Sequence, residues 1–216
     1  MKKYWYFIVS LIILLLATFL RFYNFSARAP FDWDQNRDYQ AVSKIANGNL
    51  TLVGPVAKGE GGFLLGPLYY YLVLPFFVLM QASPLALPIT SILLDLSAIV
   101  AIILLMRKFL GDWGTLTLAA IYSISFVIIE TSRISWNVAL VPLYSFVILW
   151  VTTNNKILSS RWALAYGFLA ALAWHIHAAL IPLSLVVIGA KFLKSTFRYH
   201  NLGYFAIGYT FALLPL

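Results

Sequence analysis

Apolar residues run along this chain in unbroken blocks of membrane-spanning length, near 5–22, 89–106, 113–130, 138–153, 162–175, 178–190 and 203–216. Continuous blocks predict α-helices, because a strand in an outer-membrane barrel alternates apolar and polar residues. One further apolar stretch, "FLLGPLYYYLVLPFFVLM" at 63–80, is interrupted by Pro67 and Pro75 and carries Tyr69, Tyr70 and Tyr71 in a row. Prolines and an aromatic belt predict a segment that lies along the membrane surface or dips into it. The fold class expected is therefore all-α, a polytopic bundle of about seven spans. It divides into a first helix at 1–22, a long outer loop with short interfacial helices at 23–88, and six further helices at 89–216. The last apolar block runs to "FAIGYTFALLPL", and a longer chain is expected beyond it.

The opening "MKKYWYFIVSLIILLLATFLRF" has the charge and greasiness of a signal peptide but lacks an Ala-x-Ala-like cleavage site, so it reads as a retained anchor. Charge then fixes the expected orientation. With the N-terminus cytoplasmic and 63–80 not crossing, Lys2, Lys3, Arg107, Lys108, Lys156, Arg161, Lys191, Lys194 and Arg198 all fall inside, nine of the fifteen basic residues. Counting 63–80 as a span would expel most of them, against the positive-inside rule. The formal charge of +8 thus reads as membrane topology and not as a nucleic-acid surface. The absence of cysteine excludes a disulfide framework and a thiolate metal site.

Acid is scarce, and this orientation gathers it. The chain is 62% hydrophobic and 10% charged, yet five of its seven carboxylates, Asp32, Asp34, Asp38, Glu60 and Glu130, fall on the outer side. Three of them sit in "FDWDQNRDY" with Arg37. From Asp34 to Ile45 the pattern predicts a short amphipathic helix with Asp34 at its start and "NGN" at 47–49 as its stop. The three- and four-residue spacing of Asp34, Arg37 and Asp38 puts them on one face. A helix N-terminus and an adjacent cation both favour an ionised carboxylate, which suits Asp34 to accept a proton; simple helix capping by Asp34 is the structural alternative. Lys58, Glu60, Tyr69 and Tyr70 share the outer loop, "ETSRISWN" adds Arg133 and Asn137, and "WHIHA" adds His175 and His177. Histidines two residues apart do not share a helical face, so they read as polar contacts and not as metal ligands. Asp95, inside an apolar run, is by default a paired or functional residue whose partner the sequence does not name.

The order of a single N-terminal span, "FDWDQNRDYQAVSKIANGNLTLVGP", "GGFLLGPLYYYLVLPFF" and a ladder of helices resembles the polytopic C-type glycosyltransferases. Within them it is similar to the protein O-mannosyltransferase and aminoarabinose transferase group, known as glycosyltransferase family 39. The likeness is sharpest over 31–75. It implies inverting transfer of a sugar from a polyprenyl-phosphate donor to a lipid, glycan or protein acceptor on the outer face of a cell membrane, with an acidic residue of the first outer loop serving the acceptor. By position Asp34 matches the first acid of the family's Asp-Glu pair. Gln35 stands in place of the glutamate, leaving Asp38 or Asp32 as the second carboxylate, and Gly66 stands where the family has a lysine before its proline-aromatic segment. Lys58, Arg37 or Arg133 would then meet the donor phosphate.

The expected sites are therefore Asp34 and Asp38 as catalytic, with Asp32, Arg37, Lys58, Glu60, Tyr69, Tyr70, Arg133, Asn137, His175 and His177 as substrate-binding. The sequence requires no cofactor and leaves a divalent metal open; membrane lipids are the other expected partners. A carboxylate base and a cation suffice chemically, since a polyprenyl phosphate leaves as an anion. A transporter or flippase of a lipid-linked sugar is the leading rival, and a noncatalytic scaffold subunit the third reading. A transporter predicts charge through the membrane midplane and symmetric halves; Asp95 is the one clearly intramembrane acid, and no internal repeat is visible.

Overall fold

A computed structural model describes residues 2–56, 62–153, 160–193 and 199–214. It is all-α among these residues, apart from a single antiparallel bridge between Val56 and Leu64. The order is α1 (Lys2–Phe22), α2 (Phe25–Arg28), α3 (Trp33–Ala46), α4 (Leu68–Leu79), α5 (Ala86–Leu105), α6 (Arg107–Ile124), α7 (Phe126–Ser132), a 3₁₀ turn at Asn137–Leu140, α8 (Val141–Thr153), α9 (Ser160–Ala171), α10 (Ala173–Ile176), α11 (Leu180–Leu193) and α12 (Tyr199–Leu213).

Two helices, Tyr4–Phe22 and Ala86–Leu105, are long and apolar enough to cross a bilayer. A third candidate is α6 and α7 taken together, which meet at a 63° bend. The expected run at 113–130 is thus broken at Ser125, whose extended ψ of 117° ends α6. The other apolar blocks form helices that fall short of that length among the described residues, so two or three candidate spans stand where seven are expected. The stretch at 63–80, expected at the membrane surface, contains the twelve-residue α4 with Pro75 inside it.

Packing fixes which ends lie together. At one end, Trp5 and Trp113 bring their rings to 4.7 Å, the Arg107 guanidinium lies 4.2 Å over the Tyr6 ring, and the Tyr6 hydroxyl donates to the Ile103 carbonyl at 2.7 Å. The N-terminus of α1 therefore adjoins the turn between α5 and α6. At the other end two arginines staple the helices reciprocally. Arg21 of α1 donates to the Ser123 carbonyl at 3.1 Å, in the last turn of α6, while Arg133 donates to the Leu20, Arg21 and Tyr23 carbonyls at 2.7, 3.2 and 3.3 Å. The last carbonyls of a helix lack intrahelical partners, and each guanidinium supplies them at a buried end.

Arg21 also answers the question raised by Asp95. Its Nε donates to Asp95 Oδ2 at 2.5 Å, Tyr122 donates to Asp95 Oδ1 at 2.7 Å, and the arginine and aspartate side chains are 0% and 6% exposed. At the far end of the chain, α9 and α12 cross closely: a Cβ on Gly167 would lie 2.0 Å from the Phe205 carbonyl oxygen, and one on Gly208 2.0 Å from that of Leu164. Small residues let the two backbones touch, as in membrane helix pairs generally.

Candidate active site

The acidic helix α3 begins one residue before the expected Asp34 and ends one after Ile45. Its N-cap is Asp32 and not Asp34: the Gln35 side-chain oxygen accepts the Asp32 backbone N–H at 3.1 Å in the reciprocal arrangement of a capping box. Asp34 is thereby released from the capping role that its position suggested. Gln35 is buried and its amide also donates to the Ser135 carbonyl at 3.1 Å, which ties α3 to the segment after α7.

The face predicted from spacing is formed. Arg37 Nη1 donates to Asp34 Oδ1 at 2.8 Å, and Nε and Nη2 reach Asp38 Oδ1 at 2.9 and 2.8 Å. The two carboxylates nevertheless differ. The Asp34 side chain is 55% exposed, whereas that of Asp38 is 0% exposed and accepts a further bond from the Tyr70 hydroxyl at 3.0 Å. Burial, outweighing Arg37 and Tyr70, pushes the Asp38 carboxyl above the ordinary aspartate range, and its Oδ2 has no partner among the described residues. Asp38 thus holds Arg37 in place and offers no open edge to a substrate.

Three segments far apart in sequence close a cleft of about 560 Å³ in front of Asp34 and Arg37. Its walls include Phe63 and Leu65 from the outer loop, Trp136 and Asn137 after α7, and His177 and Ala178 after α10. The Asn137 side-chain amide donates to the Ile176 carbonyl and joins two of these walls, while His177 Nδ1 accepts the Ala179 N–H at 3.2 Å. The floor is braced by backbone: Gly54 N–H donates to Leu65 O at 2.7 Å, Leu65 N–H to Pro55 O at 3.0 Å, and Gly66 N–H to Trp174 O at 3.2 Å.

Of the residues expected to bind substrate, Arg37, Asn137 and His177 line this cleft with Asp34. Asp32 is exposed at the helix cap. Lys58 and Glu60 lie outside the described residues. The remaining four are placed by their surroundings. Tyr69 is fully buried with its hydroxyl 3.1 Å from Ser91 Oγ and is a packing residue of the α3–α4 core, whereas Tyr70, 3% exposed, holds Asp38 and lines a second pocket beside Arg37. Arg133 is 1% exposed, pairs with Glu130 and caps α1, so its charge is not available to a phosphate in the cleft. His175 is buried, its Nε2 2.7 Å from the Ala212 carbonyl oxygen. That ring fills the space beside Gly66, where a Cβ would lie 1.9 Å from Nδ1, so no lysine fits at this position.

Among the described residues no group of three or more metal-ligating side chains gathers. Leu65 is a wall residue that sequence reasoning missed, because it carries no charge or motif to mark it. No family model matches the chain, and neither does any curated protein or solved structure. The likeness to the C-type glycosyltransferases therefore rests on the residues quoted above alone.

Proposed function

We propose that this chain is a membrane glycosyltransferase that moves a sugar from a polyprenyl-phosphate donor onto a lipid, glycan or protein hydroxyl at the outer face of the membrane. The observation that carries the reading is the cleft itself, where an exposed carboxylate and a fixed guanidinium stand side by side at the end of the bundle opposite Lys108 and the N-terminus of α1. In this reading the shorter apolar helices complete seven crossings, α4 stays at the outer surface, and the positive-inside rule places Asp34 outside.

Asp34 takes the proton of the acceptor hydroxyl as its oxygen attacks the anomeric carbon. The bond from that carbon to the phosphate oxygen breaks, the polyprenyl phosphate leaves as an anion, and a single displacement inverts the centre. Arg37 steadies the departing charge, and Asn137 and His177 supply hydrogen-bonding groups for sugar hydroxyls. Asp38 and Tyr70 act through Arg37 as positioning residues.

Membranes carrying the chain, incubated with polyprenyl-phosphate sugars of several kinds and an extract of envelope acceptors, should transfer sugar from at least one donor with inverted anomeric configuration. Absence of transfer from every such donor would remove the reading, and transport of the intact lipid-linked sugar without transfer would replace it with the transporter.

A further inference from the structure

Beside the Asp34 cleft, sharing Arg37 and Val56 with it, lies a second pocket of about 370 Å³, which Tyr70 also lines. Arg37, Gln40, Ala41 and Lys44 form one wall, three, four and seven residues apart on α3, and hence one stripe of the helix. The facing wall is the segment from Asn49 to Val56, and it is held in place. Tyr71 donates to the Thr51 carbonyl at 2.8 Å, Thr51 Oγ1 accepts the Val53 N–H at 3.1 Å, and Gly54 pairs with Leu65.

The chemistry of this pocket has one sign. Two cations line it, and no carboxylate among the described residues does. Asp38 sits behind Arg37 and Asp34 opens into the other cleft. A guanidinium carries five N–H bonds. With Nε and one bond of Nη2 directed to Asp38 and one bond of Nη1 to Asp34, one N–H remains on each terminal nitrogen. Lys44 is exposed and forms no ion pair among the described residues, and the Gln40 and Asn49 amides add neutral donors. A tetrahedral oxyanion that accepts several hydrogen bonds and carries one or two negative charges is the ligand these groups match.

We propose that this pocket binds the phosphate group of a phosphomonoester or phosphodiester, with Lys44 as its second cation. Arg37 is then the shared wall between phosphate and base, so a ligand whose phosphate sits beside Lys44 carries its next group over the guanidinium toward Asp34. The inference deepens the transferase reading and rests on it for which substrate the phosphate belongs to, while the binding itself is testable alone.

The full chain in neutral detergent is titrated calorimetrically with inorganic phosphate and, separately, with phosphatidic acid in mixed micelles. At least one should bind with a single site, and Lys44→Gln should weaken it about tenfold or more, the loss expected for one charge-assisted hydrogen bond. Its thermal midpoint should stay at that of the parent, because Lys44 is exposed. Binding of inorganic phosphate assigns a free phosphate as sufficient, and binding of phosphatidic acid alone assigns a lipid headgroup. If neither binds, or if Lys44→Gln and Lys44→Glu bind as the parent does, the pocket is not a phosphate site. Lys44-dependent binding by a protein that transfers no sugar would keep the pocket and remove the transferase reading. Transfer by a protein whose phosphate binding ignores Lys44 would do the reverse.

Discussion

The chain builds an arginine, an aspartate and a tyrosine into a hydrogen-bonded cluster twice, and the two clusters serve different ends. Arg21, Asp95 and Tyr122 join α1, α5 and α6 with both charges buried, Asp95 and Tyr122 at the edge of a cavity of about 370 Å³. Arg37, Asp38 and Tyr70 repeat the arrangement between α3 and α4, but Asp34 joins them as a second carboxylate that faces a cleft. Identical groups therefore carry no fixed meaning. The buried cluster is a staple; the one whose second carboxylate is exposed is the candidate for chemistry.

The largest effect expected from breaking this comparison lies in the buried cluster. Asp95→Ala or Arg21→Ala leaves a buried charge unpaired, which costs about 3–5 kcal/mol, so either variant should unfold far below the parent in detergent or fail to accumulate. The double variant Arg21→Met with Asp95→Leu removes both charges and should recover most of that loss. If the double variant were as unstable as either single one, the pair would matter for more than charge compensation.

A smaller effect, opposite in sense, is expected at Asp38. Because burial raises its folded-state pKa, the native protein holds this proton more tightly than the unfolded chain. Stability contributed by Asp38 is then greatest below the ordinary aspartate value and declines as pH rises through the folded-state value. Asp38→Asn should flatten that acid-side decline in the thermal midpoint, whereas a stability that rises with pH in the same window and loses this rise in Asp38→Asn would mean that the Arg37 pair outweighs burial. Smaller again is Tyr70→Phe, which deletes one hydrogen bond and should cost about 1 kcal/mol, with a fall in any Asp34-dependent activity as Arg37 loosens.

How far these roles were legible depended on range along the chain. The helix expected over 34–45 and its shared Asp34–Arg37–Asp38 face follow from local spacing, and the structure forms them at 33–46 with Asp32 rather than Asp34 as cap; the proline-broken segment expected over 63–80 contains the helix at 68–79. The Arg21–Asp95 bond spans 74 residues and the Arg133–Leu20 bond 113, and no local pattern marks such partners. The same limit hid the surroundings of Tyr69 and Arg133, whose residue types suit a sugar or phosphate site but whose tertiary neighbours bury them. The break at Ser125 has neither proline nor glycine to announce it. It is accommodated by Arg21, which binds a carbonyl of the turn that the break ends.

The central claim is that Asp34 acts chemically while its buried counterpart Asp95 acts structurally, and the most direct test is the turnover of Asp34→Asn set beside its thermal midpoint. As an exposed side chain Asp34 should change stability by no more than about 0.5 kcal/mol. As a general base it should account for about 10²–10⁴ of the rate. The account predicts at least a hundredfold loss of sugar transfer from a protein that unfolds where the parent does and still binds the phosphate probe. Transfer within a few-fold of the parent would contradict it and leave Asp34 as one more surface partner of Arg37.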